Sequence, residues 1–280
     1  MTRPFRLVDV FGTAPFTGNP LAVIADADCL SPAEMQAITR WLNLSETTFL
    51  LPPTDPAADY RVRIFTLSRE LPFAGHPTLG TAHAWAEAGG IPKRNGVIVQ
   101  ECGAGLVTIR RDAGRLAFAA PPLLRGGPPD EADIAEVAAV LRIDRAAIVD
   151  AAWADNGPGW ICVMLASAAA VLAIEPARHH GRHIDIGVVG PHEPGGIASF
   201  EIRALFTNPE GVLVEDPVTG SLNASVGQWM FASGRASGAY VAAQGTRLGR
   251  AGRVHVEQDA AGQVWVGGAV RTLFAGHALG

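Results

Sequence analysis

Apolar and polar residues alternate in short runs along most of this chain, as in 5–10, 21–24, 47–51, 60–65, 106–109, 116–119 and 264–266. Such runs, bounded by Gly and Pro, predict many short strands joined mostly by turns. Helical periodicity is confined to a few segments. Ser31-Pro32-Ala33-Glu34 carries a helix start, because Ser accepts from the backbone, Pro suits the first turn, and Glu three residues on completes a capping box. That helix should run to Leu42 and end at Asn43, which tolerates the left-handed conformation. A second amphipathic helix is predicted over 133–141, and 160–174 reads as a buried strand followed by a small helix.

Two further segments, starting at Pro77 and at Leu222, are small or apolar on nearly every face. A helix without a polar face is buried all round, so each is a candidate central helix with strands wrapped about it. They also expose a duplication. Glu70-Leu-Pro72-Phe-Ala-Gly75-His76 aligns without gaps on Glu215-Asp-Pro217-Val-Thr-Gly220-Ser221, 145 residues later. Upstream, Val62-Arg-Ile-Phe-Thr66 resembles Ile202-Arg-Ala-Leu-Phe-Thr207. A repeat of about half the chain length implies two similarly folded halves. The Pro/Gly-rich stretch 121–129 places their boundary, giving an N-terminal half over 1–121 and a C-terminal half over 122–280. The last strand, read at 264–270, is assignable to either half, so residues 264–280 are a candidate addition to the first.

The bulk composition narrows the class. With 280 residues, 48% hydrophobic and 18% charged, the chain can bury a sizeable core. A net charge of -5 without runs of Lys or Arg offers no footprint for nucleic acid or an anionic membrane. The N-terminus runs straight into strand-like alternation, and the longest apolar run is too short to span a bilayer, so a cytoplasmic protein is expected. Three scattered cysteines, Cys29, Cys102 and Cys162, form no CxxC pair and read as reduced, mostly buried thiols.

Each half offers the same chemical device, a Gly-containing turn feeding a buried helix. Free N–H groups and the positive end of the helix dipole make such a place a natural anion site. At these turns His76 and Ser221 can be N-caps or can serve a shared site, and Asp216 can bond within its own turn or reach a substrate. Glu46 lies between the capped helix and an apolar strand. A carboxylate partly withdrawn from water suits the taking and returning of a proton. His83, inside the buried helix, reads as structural. The run Arg178-His-His-Gly-Arg-His183 has no Cys or carboxylate at ligand spacing and reads as a solvated loop, so no metal is expected. Dinucleotide, P-loop, serine hydrolase and zinc-protease signatures are missing.

The stretches Asn43-Leu-Ser-Glu46-Thr-Thr-Phe, Glu70-Leu-Pro-Phe-Ala-Gly-His76-Pro-Thr-Leu-Gly and Glu215-Asp-Pro-Val-Thr-Gly-Ser221 resemble the signatures of the phenazine-biosynthesis PhzF-like family. Val8-Asp-Val-Phe-Gly, Phe16-Thr-Gly-Asn-Pro-Leu-Ala-Val23, Gln244-Gly and Leu248-Gly-Arg250 fit the same family. The resemblance implies an α/β (α+β) fold of the diaminopimelate-epimerase type, with two similar domains, each a curled, mostly antiparallel sheet around a central helix, and the site in the cleft between them. It assigns proton transfer to Glu46, and substrate orientation and assistance to His76, Asp216 and Ser221. Gly75 lines the pocket, Gly220 joins Ser221 in binding substrate, and no cofactor is used. Relatives of this fold that work through a cysteine pair are excluded as a mechanistic guide, since neither turn carries Cys. The implied reaction is isomerisation of a small carboxylate-bearing or amino-acid-like substrate, as with trans-2,3-dihydro-3-hydroxyanthranilate, in a homodimer. An epimerase using Glu46, or a metabolite-binding protein without catalysis, are the alternatives. Two departures from the common pattern, Leu67-Ser-Arg69 and Leu222-Asn223, bear on substrate identity.

Overall fold

A computed structural model describes residues 2–112 and 114–279. The chain forms two compact units, Met1–Ala119 with Gly267–Gly280, and Ala120–Val266. In the first, β1 (Thr2–Val10) and β2 (Asn19–Ile24) form an antiparallel pair. α1 (Pro32–Leu42) follows with the expected capping box complete, Ser31 N–H donating to Glu34 Oε2 at 2.7 Å and Glu34 N–H to Ser31 Oγ at 3.3 Å. Asn43 ends it at φ 54°. β3 (Glu46–Leu51) runs parallel to β2, then β4 (Tyr60–Thr66) turns back against it, and the short β5 (Glu70–Leu71) pairs on β4. α2 (Gly75–Glu87) follows, then β6 (Val97–Cys102), parallel to β4, and the antiparallel β7 (Gly105–Asp112) and β8 (Arg115–Ala119).

The second unit opens with α3 (Glu131–Leu141), capped by Asp130 and therefore starting two residues before the sequence estimate. β9 (Ile148–Trp153) and β10 (Trp160–Leu165) pair antiparallel, and α4 (Ala168–Ala173) leads to β11 (Asp185–Pro191), parallel to β10. β12 (Phe200–Thr207) and β13 (Leu213–Asp216) extend the sheet antiparallel. α5 (Gly220–Ala232) is followed by β14 (Ala239–Gln244), parallel to β12, then by β15 (Gly252–Gln258) and β16 (Val264–Gly268). The chain then returns as β17 (Val270–Leu279), antiparallel to β1. What reads in sequence as one last strand is therefore two, β16 and β17.

Each unit is a curled, mostly antiparallel sheet about a buried helix. α2 packs on β1, β2, β3, β6, β8 and β17, and α5 on β15. The apolar character of both helices matches their burial, since Leu79, Thr81 and Ala82 in α2 and Leu222, Ala224 and Val226 in α5 have no appreciable exposure. The duplication is visible as a matched ion pair. Arg63 on β4 grips Glu70 on β5 through one guanidinium edge, Nε donating to Oε1 at 2.8 Å and Nη2 to Oε2 at 2.6 Å. Arg203 on β12 grips Glu215 on β13 in the same way at 3.1 and 2.8 Å.

Two sequence expectations are corrected here. Of the three thiols only Cys162 is buried, Cys29 being exposed and Cys102 half-buried. His83 is not sealed in the core either, because its ring meets Glu87 and Thr272 at 3.2 Å on a half-exposed face of α2.

Candidate active site

In the first unit the chemistry gathers where β3 begins beside the start of α2. Glu46 is the first residue of β3, opposite Thr66 in the ladder, with its side chain largely but not fully buried. Ala74, with an extended backbone and no side-chain hydrogen bond, caps α2. The first internal bond of the helix runs from Thr78 N–H to the Ala74 carbonyl at 3.1 Å. Gly75 and His76 therefore present N–H groups with no intrahelical acceptor, at the positive end of the dipole. His76 is thus the second helical residue and not the N-cap that the sequence allowed, because the helix begins two residues before Pro77.

His76 is 3% exposed. Its Nδ1 lies 3.5 Å from Glu46 Oε2 and 3.4 Å from Asn19 Nδ2. Burial drives the imidazole down to a pKa of about 3, with the Pro20 carbonyl opposing only in part. The ring is therefore neutral near pH 7, and its contact with Glu46 joins a carboxyl group to a neutral imidazole, not two opposite charges.

In the second unit the equivalent turn is built round Gln244, which is fully buried. Its Oε1 accepts from Thr219 N–H at 3.0 Å and from Asn223 Nδ2 at 2.8 Å, while its Nε2 donates to Thr219 Oγ1 at 2.9 Å. Thr219 Oγ1 in turn donates to Asp216 Oδ2 at 2.5 Å, so Asp216 does bond within its own turn. Thr219, not Ser221, occupies the cap position, and Gly220 and Ser221 open the helix. Asn156 Nδ2 donates to the Ser221 carbonyl at 2.9 Å, steadying this first turn. The departure at Asn223 is thereby explained locally, since its amide bridges Gln244 and the Thr219 carbonyl.

The predicted site residues thus fall into two groups, Glu46, Gly75 and His76 in the first unit, and Asp216, Gly220 and Ser221 in the second. The histidine-rich run 178–183 is the largely exposed loop that the sequence suggests, with carboxylates alongside it. His180 and Arg182 both engage Glu136, and His183 meets Asp185 at 2.8 Å. Among the described residues no group of three His, Cys, Asp or Glu side chains is placed to hold a metal ion. No helix among them is long and apolar enough to cross a membrane.

A family model for phenazine biosynthesis-like proteins, PhzC-PhzF, matches residues 8–278. The chain belongs to this family. The Schizosaccharomyces pombe protein named Antisense-enhancing sequence 1 is 37% identical over 98% of this chain and 98% of its own. Over 29% of this chain and 28% of the relative, identity to the trans-2,3-dihydro-3-hydroxyanthranilate isomerase of Pseudomonas fluorescens is 56%. A solved Pseudomonas aeruginosa protein, titled a predicted epimerase, superposes over 99% of both chains with a TM-score of 0.81 at 29% identity. This PhzF-like protein is an enzyme of the isomerase class, the name that several of its relatives carry.

One member of the first cluster carries no assignment from the sequence. Asn19 is fully buried and touches His76, yet no spacing rule ties the first residue of a strand to a helical residue 57 positions later. Only the family stretch 16–23 marks the segment.

Proposed function

We propose that this PhzF-like protein moves a proton between two carbons of a small carboxylate-bearing substrate, without a cofactor, with Glu46 as the acid/base. The observation that carries the reading is the Glu46 carboxyl group 3.5 Å from a buried, neutral His76 at the N-terminus of a buried helix. A carboxylate is strong enough to take a proton next to a carboxyl- or carbonyl-activated carbon, and as the acid it can return that proton to another carbon on the same face. His76 cannot add a positive charge there, so it serves by hydrogen bonding and by excluding water. The N–H groups of Gly75 and His76 suit the oxygen on which negative charge develops. In the second unit Gly220 and Ser221, at the matching helix start, are proposed to bind substrate, with Asp216 assisting proton transfer. The name of the Pseudomonas fluorescens relative makes a trans-2,3-dihydro-3-hydroxyanthranilate-like acid the first substrate to try.

The test is proton NMR in D2O with that compound and a panel of small amino and cyclic acids. Deuterium uptake with double-bond migration is expected from the native protein, reduced by about 10^2 to 10^4-fold in Glu46→Gln. The solved relative titled a predicted epimerase favours a second reading, inversion at one carbon through the same Glu46. Deuterium incorporation with inversion and no migration would select it. A ligand bound equally by native protein and Glu46→Gln, with no exchange in either, would sink both.

A further inference from the structure

The loop 11–18, between β1 and β2, leads directly into Asn19, whose amide meets His76. Asp9 on β1 is 3% exposed, and both of its carboxylate oxygens hold backbone. Oδ1 accepts from Gly18 N–H at 2.8 Å and Oδ2 from Thr17 N–H at 3.2 Å. Two glycines make room for that carboxylate. A Cβ on Gly12 would lie 2.6 Å from Asp9 Oδ2, and one on Gly18 would lie 2.5 Å from Oδ1 and 2.1 Å from the Val10 carbonyl. Neither could be accommodated without moving backbone. Arg271, the cross-strand partner of Asp9, takes the other limb of the loop, donating to the carbonyls of Gly12 at 3.2 Å and Thr13 at 3.4 Å. A carboxylate on the N–H groups and a guanidinium on the carbonyls clamp the loop from one rung of the sheet. Charge-assisted bonds of this kind are about twice as strong as neutral ones. The residue after the clamped Gly18 is Asn19, whose side-chain nitrogen faces His76 Nδ1 at 3.4 Å.

We propose that Asp9 is a positioning residue for the proton-transfer pair: by clamping Thr17 and Gly18 it holds the Asn19 amide against His76 Nδ1 and so selects the ring tautomer protonated on Nε2. An amide N–H needs an acceptor, and a neutral imidazole accepts only at its unprotonated nitrogen. The Nδ1 lone pair is also what Glu46 Oε2 meets at 3.5 Å. It has no hydrogen to give the Glu46 carboxylate, so the ring leaves the base unengaged. The opposite tautomer would donate Nδ1–H to the carboxylate and tie up the base. The clamp therefore keeps Glu46 ready to receive a proton, through His76 and without touching substrate itself.

The inference rests on reading Glu46 and His76 as the proton-transfer pair, but its test makes no use of turnover. Ring nitrogen shifts of His76, read by long-range proton–nitrogen correlation on the labelled full chain at pH 7, distinguish the tautomers. The native protein is expected to carry the proton on Nε2, and a proton on Nδ1 overturns the proposal with no variant needed. Asp9→Asn keeps the side-chain shape but turns an NH2 towards one backbone donor. Amide exchange at Gly18 should quicken by about tenfold, and the His76 ring should become a mixture of tautomers. Faster exchange with an unchanged ring would mean a clamp that merely supports the loop, and refutes the positioning role. Asn19→Ser removes the amide and leaves the clamp, so it covers the case in which Asp9→Asn does not fold. It should show the same mixed ring with slow exchange at Gly18, and an unaltered ring there also refutes the proposal. A negative deuterium result on substrates, with the native ring as expected, would count against the proton-transfer reading and not against the clamp.

Discussion

His76 shows how burial decides what a residue can do. An imidazole with a pKa of about 3 donates or accepts as a neutral ring at any pH near 7, so its value to Glu46 lies in its orientation. The same depression has a cost on acidification. The unfolded chain protonates this ring near 6.5 and the folded chain only near 3, so within that window the unfolded state binds more protons. The contribution is fully present above pH 6.5 and is lost as pH falls towards 3, at about 1.4 kcal/mol per pH unit. Urea unfolding between pH 7 and 4 should therefore steepen in the native protein by about one proton relative to His76→Asn. Parallel curves for the two would contradict a neutral buried ring. At this scale the sequence was informative where chemistry is local. Glu46 stands out because a capped helix ends three residues before it and an apolar strand follows. Asp9 and Asn19 do not, because a buried Asp in a strand and an Asn before a Pro have no distinctive pattern until the loop closes on them.

The paired elements tell a similar story about what spacing can and cannot carry. Arg63–Glu70 and Arg203–Glu215 are the same device in the two halves, a bidentate bridge from a long strand to the short strand that feeds the central helix. The motif alignment shows both partners, but not that their burial differs. Arg63 and Glu70 side chains are 26% and 40% exposed, against 4% and 10% for Arg203 and Glu215. Arg203 Nη1 also donates to the carbonyls of Val171 and Ile174, at 3.2 and 2.8 Å, so it ties α4 to the sheet. Removing one partner of a buried pair strands the other charge. Arg203→Met should therefore destabilise its unit by about 3 to 5 kcal/mol, while Arg63→Met should cost about 1 kcal/mol or less. Hydrogen exchange at buried β12 and β4 amides measures the two losses separately. Equal losses would mean that the exposed pair is as strongly coupled as the buried one. Helix ends behaved in the same way. Ser31 and Asn43 are legible because caps are written in neighbouring residues, whereas α2 and α5 start on glycines behind Ala74 and Thr219, which have no side-chain cap for a reader to find.

For the whole molecule, what matters most is where the chain returns. Alternation in 264–270 announces a strand and its buried face, but pairing partners lie wherever the fold brings them, here about as far apart in sequence as two strands can be. β17 runs against β1 from Val10↔Val270 to Thr2↔Leu279, and it also packs on α2. It carries Arg271, which grips the 11–18 loop, and Phe274, whose ring stands 6.1 Å from that of Phe16 at the loop tip. The last strand therefore completes the sheet around the central helix of the first unit and braces the segment that leads to Asn19. In the second unit, the β11–β12 and β12–β14 ladders do not involve it. A chain ending at Gly268 should accordingly lose exchange protection at Val8, Val10 and Leu21, while Val188 and Ile202 on β11 and β12 keep theirs. An edge strand left open on β1 should also make that chain prone to association through strand pairing. Retained protection throughout β1 would show that the sheet closes on α2 without β17, and loss in both units alike would show that they fold as one cooperative body.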